Sequence, residues 1–144
     1  MNGSIVLARR VHLAATWVFL AAILLQVFLV GLVLFAGGNI DNHRQFGYSI
    51  IFVALAVLLT ALWARVPQRD GWMAAAVLGL YIVQTSFPQF KASAPVVAAL
   101  HPVFAILLFW LGLVVARRAR ELYQSALAQR SGSTVVEPAT TETR

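Results

Sequence analysis

The placement of ionisable side chains constrains this chain more than any other feature. Between Arg10 and Asp41 lie 30 residues without Asp, Glu, Lys or Arg; Arg44 and Arg65 bracket 20, Asp70 and Lys91 another 20, and Lys91 and Arg117 a further 25. At about 1.5 Å of rise per residue, roughly 20 apolar residues cross a hydrocarbon core of about 30 Å. In lipid, only helices satisfy their own backbone hydrogen bonds in an open-ended span. The four runs therefore predict transmembrane helices over about 12–36, 45–65, 71–90 and 99–118, with connections short enough to make neighbours antiparallel. The expected fold class is all-α, an integral membrane four-helix bundle. Residues 1–124 are expected to form this transmembrane domain. Residues 125–144, rich in Ser, Thr, Glu and Ala and containing Pro138, are expected to form a disordered tail.

Composition agrees. The chain is 60% hydrophobic and 11% charged, whereas a soluble domain is about 45–50% apolar and about 25% charged. That excludes an ordinary globular enzyme and a disordered chain. With no cysteine, disulfides, thiolate metal sites, iron–sulfur clusters and a cysteine nucleophile are excluded as well.

Arginine placement gives an orientation. Arg9 and Arg10, Arg65 and Arg69, and Arg117, Arg118 and Arg120 fall on one side of a four-span chain, which is expected to be cytoplasmic. Both termini are then inside the cell membrane, with Trp17, Trp63 and Trp72 as interfacial anchors. The net charge of +6 follows from this topology and points to no nucleic acid. The run Val11–Ala36 exceeds the about 7–15 residues of a secretory apolar region, so it is expected to be a span rather than a cleaved leader.

Shifting the sequence on itself by 58 residues aligns Leu20 with Leu78, Gln26 with Gln84, Ala36 with Ala94, His43 with His101, Phe46 with Phe104 and Leu55 with Leu113. Gln and His, rare here, recur with the same 17-residue separation. This predicts two repeated helical hairpins related by an axis along the membrane normal. His43 and His101 would then face one another at the outer ends of the second and fourth helices.

Two facing imidazoles are what a haem iron with two axial ligands needs. Gly47 and Ala105, one turn beyond each histidine, would leave a recess for the macrocycle edge, and Arg44 would meet a propionate. Gln26 and Gln84, with Thr85 and Ser86, would line the pocket or pair between helices. The competing reading is that His43, in the run Asn39–Arg44, and His101, before Pro102, are polar residues at the interface. His12 lies at the opposite end of the first helix and is expected to be interfacial. No hydrolase or transferase constellation occurs, zinc lacks a fourth ligand, and no Asp, Glu, Lys or Arg interrupts a span as an ion pathway would require.

Two resemblances accompany these residues. Gln26–Gly31, Asp41–Tyr48, Ala98–Ala105 and Ala116–Arg120 resemble a family of uncharacterised small bacterial four-helix membrane proteins, over about residues 8–120. The same layout resembles one half of haem A synthase, whose halves carry a histidine at the outer ends of their second and fourth helices, one in a pair like His43-Arg44. That resemblance implies haem ligation by His43 and His101. It does not imply the synthase reaction, because one half is present and the outer-loop cysteine pair of many members is absent.

The expectation is a membrane protein holding one b-type haem through His43 and His101, for electron transfer with a quinone or a membrane redox partner, or for haem handling. No catalytic residue is assigned. The alternatives are an accessory subunit of a larger membrane complex and a quinone- or lipid-binding protein without haem.

Overall fold

The computed structural model describes residues 3–133, all helix and short connection. Helix α1 runs Gly3–Ala36, α2 Ile40–Trp63 and α3 Gln68–Ser86; a 3-10 turn over Phe87–Phe90 and a single turn α4, Pro95–Ala98, lead into α5, Leu100–Ser133. Four helices are long and apolar enough to cross a membrane, as the uncharged runs required, and the chain is read as a multi-pass membrane protein.

The helices are longer than the spans expected from charge. Helix α1 begins at Gly3 rather than near residue 12, and α5 continues to Ser133 rather than ending near 118. Each is 34 residues, or about 51 Å, well beyond the about 30 Å of a hydrocarbon core. Charge marks where lipid ends; a helix ends where its residues stop favouring it. Residues 119–131 contain neither Gly nor Pro and are mostly good helix formers. Arg9 Nη1 donates to the Leu122 carbonyl at 3.1 Å, and Ala126 is fully buried, so this stretch is packed and the tail expected from 125 is helical to 133. The rest of that expected tail, 134–144, lies outside the described residues.

Connections follow local chemistry. Gly37 adopts φ +66° after α1, and the Gly38 N–H returns to the Leu32 carbonyl at 2.9 Å; a Cβ at Gly38 would lie 3.1 Å from Leu32. The Asn39 side chain then caps α2 by accepting from the Asp41 N–H at 2.8 Å. Pro88 and Pro95 interrupt regular helix between α3 and α5.

In cross-section the four long helices form a square. Helix α1 packs on α2 and α5, and α3 packs on the same two, leaving α1–α3 and α2–α5 as diagonals. Fully buried small residues, Ala54, Ala61, Ala74 and Ala116, let the backbones approach. Between them sit Phe19, Ile50, Val57, Val77 and Leu108. Phe19 on α1 meets Tyr81 on α3 edge-on, ring centres 6.4 Å apart, bridging one diagonal at mid-bundle. Positions 58 residues apart are buried alike: His12 and Asp70, Phe19 and Val77, Ile50 and Leu108, Val57 and Val115, Ala61 and Ala119.

Candidate functional site

His43 and His101 lie in the first turns of α2 and α5, at the end of the bundle where α1 and α3 finish. Both are partly buried, and their rings meet across the α2–α5 diagonal with centres 6.3 Å apart and planes at 80°. His43 Nδ1 is 3.2 Å from the Gln26 carbonyl, and His101 Nδ1 is 2.9 Å from the Gln84 carbonyl. A carbonyl only accepts, so each ring donates its Nδ1–H. In the neutral imidazole, Nε2 is then left with its lone pair. For Gln84 the cause is in the sequence: the residue four places on, which would take its carbonyl in a regular helix, is Pro88, and proline has no N–H.

An imidazole whose far nitrogen donates to a backbone carbonyl is the usual state of a metal-ligating histidine. The separation also suits one metal between the rings. With metal–nitrogen bonds of about 2.0–2.1 Å on opposite faces and each ring centre about 1 Å beyond its nitrogen, the centres lie roughly 6 Å apart. Among the described residues no group of three or more His, Cys, Asp or Glu comes together.

The surrounding residues are placed as follows. The Oε1 atoms of Gln26 and Gln84 are both buried without a hydrogen-bond partner. Gly47 is buried, and a Cβ there would collide with the Gln26 amide nitrogen; the recess expected for a macrocycle edge holds the Gln26 side chain. The Gly47 carbonyl accepts from Tyr81 Oη. Ala105 is partly buried on α5. Arg44 pairs with Asp41 at 3.0 Å in an exposed contact one turn away. Phe87 and Phe104 pack edge to face at 4.8 Å, joining the end of α3 to the start of α5.

A second polar cluster occupies the opposite end. His12, expected at the interface, is only 3% exposed, and its Nδ1 lies 3.1 Å from Thr60 Oγ1 on α2. Asp70 on α3 is 4% exposed and accepts from Arg118 Nε on α5 at 3.2 Å. Arg118 also pairs with Glu121 at 3.1 Å. Asp70, the charge that marks the start of the third span, is buried against the neighbouring helices. Thr60 and Tyr81 were not singled out from the sequence, and Arg118 was read only as one of the arginines that set the orientation. The 58-residue shift carried the signal, since it aligns His12 with Asp70 and Thr60 with Arg118, pairing polar residues of different types.

Residues 26–88 match a family of unknown function, DUF6220. The matched segment starts at Gln26, includes His43, Gly47, Asp70, Tyr81 and Gln84, and ends before His101. No curated protein and no solved structure matches the chain.

Proposed function

We propose that the chain is a membrane cytochrome-like protein that holds one b-type haem between His43 and His101. The observation that carries this reading is the paired geometry: two rings on diagonal helices, 6.3 Å apart, each with Nδ1 committed to a glutamine carbonyl. His43 and His101 would supply the axial nitrogens. The backbone carbonyls of Gln26 and Gln84 would fix the tautomer and turn each ring, raising ligand basicity. The Arg44 guanidinium, exposed and held only by Asp41, would be free to exchange that partner for a propionate. When bound, the haem would supply one-electron chemistry, for exchange with a quinone or a membrane redox partner, or be the cargo of haem handling.

The bundle is further read as two repeated hairpins with both termini on the cytoplasmic side of the cell membrane and the histidine pair in the outer leaflet. Support comes from the matched burial of positions 58 apart and from the arginines at the end where α1 begins and α5 leaves the bundle. Reporter fusions at each terminus test the orientation; a periplasmically active reporter on either terminus overturns it.

The haem reading is tested by visible spectra, oxidised and dithionite-reduced, of protein purified in mild detergent from cells supplied with a haem precursor. Sharp α and β bands on reduction, lost in both His43→Ala and His101→Ala, are the expected result. Protein that stays colourless after haem addition overturns it. One observation favours a second reading for that case: the unpartnered Oε1 atoms of Gln26 and Gln84 are acceptors that a hydroxyl-bearing head group such as a hydroquinone would satisfy.

A further inference from the structure

The end of the bundle away from His43 and His101 carries a separate arrangement. Thr60 has one hydroxyl proton, and it is directed to the Ala56 carbonyl at 2.6 Å and the Val57 carbonyl at 3.1 Å. Thr60 Oγ1 can therefore only accept from His12, so His12 Nδ1 carries the N–H and Nε2 is bare in the neutral ring. Asp70 uses Oδ1 for Arg118, while Oδ2 is buried with no partner. His12 and Asp70 line one small space with Met73, Val115, Arg118, Ala119 and Leu122. That space is narrow and opens to one side past Arg118, whose side chain is 43% exposed. An imidazole nitrogen free to take a proton and a buried carboxylate oxygen without a partner thus line one space from facing helices.

We propose that His12 and Asp70 form a proton-binding site joining α1 to α3. A proton taken from bulk water adds to His12 Nε2, giving an imidazolium whose charge the Asp70 carboxylate stabilises through space across the diagonal. The surrounding charges set the balance. Arg9, three residues before His12 on α1, and Arg118 on α5 disfavour a third positive charge; Asp70 on α3 favours it; Glu121 on α5 partly offsets Arg118; α2 contributes the neutral Thr60. Asp70 is thus the group on which proton uptake depends. The site shares no side chain with the histidine pair, so it stands whether or not haem binds there.

The test is nitrogen NMR of the full chain, labelled at histidine and held in lipid nanodiscs, between pH 9 and pH 5, with the His12 signals identified by their loss in His12→Gln. Expected in the wild type is a ring protonated at Nδ1 alone at pH 9 and at both nitrogens at pH 5. In Asp70→Asn the same transition should need at least tenfold more protons. In Arg118→Met, which keeps the carboxylate and removes a competing cation, it should need fewer. Variants that merely loosen the fold would move the transition in the same direction, so opposite shifts identify the charge pair. A wild-type His12 still singly protonated at pH 5, or a midpoint unmoved in Asp70→Asn, overturns the proposal.

Discussion

The two ends of the bundle are built on the same spacings and differ in what the spacings carry. At one end His43 and His101 each bond a carbonyl 17 residues earlier, and the two contacts are chemically identical. At the other end His12–Thr60 and Asp70–Arg118 each span 48 residues, and no residue type is shared. A site with two like ligands wants equivalence, because a metal between two rings is served by two identical lone pairs. A site for a proton wants inequivalence, with a base on one helix and an acid's anion on the other. The anchoring differs accordingly: the histidine pair is oriented by the backbone, while the His12–Asp70 pair depends on side chains that are themselves bonded elsewhere.

The sharpest way to break this comparison is to exchange losses between ends. If the proposed haem is bound, His43→Ala and His101→Ala should each abolish its bands completely, whereas His12→Asn should leave them intact; a spectrum altered by His12→Asn would mean that the two ends do not act separately. Next in size is the contrast of two arginines, followed by thermal unfolding in detergent. Arg118→Ala leaves the Asp70 carboxylate, 4% exposed, without its cation; the Arg118 side chain is itself 43% exposed, so the loss should lie between that of a buried pair and that of a surface pair. Arg44→Ala removes an exposed partner of Asp41 and should change stability by less than about 0.5 kcal/mol. Equal effects would mean that Asp70 is not sealed. Between these, Tyr81→Phe deletes the donor to the Gly47 carbonyl and should cost about 1 kcal/mol, with haem affinity little changed because the phenol touches neither histidine's anchor.

Much of the fold was legible because lipid imposes a simple rule on composition. Spacing between charges fixed the number of spans, and Gly37-Gly38-Asn39 marked the reversal between α1 and α2. Helix ends were less legible. Arg, Glu, Gln and Ser stop a membrane span without stopping a helix, so α1 and α5 run past the boundaries that charge suggested. His43, His101, Gln26 and Gln84 stood out because rare polar residues recurred at one spacing. Gly47 was read as empty space when it is space for Gln26, since a sequence shows that a residue is small and not which neighbour fills the gap. His12 and Asp70 were read as boundary residues because each, taken singly, resembles one, and only their burial joins them.

By itself the sequence determined an all-helical chain with four apolar helices and two histidines at matched spacings from two glutamines, because burial of backbone in lipid and the spacing of rare polar residues are local or one-dimensional properties. Only the tertiary structure decided which helices stand diagonally, that the Nδ1 atoms of both histidines are committed to carbonyls, and that Asp70 turns inward to line one space with His12. Those depend on how each helix is rotated about its axis, and that rotation is set by packing of Phe19, Tyr81 and the small residues of facing helices rather than by any segment alone.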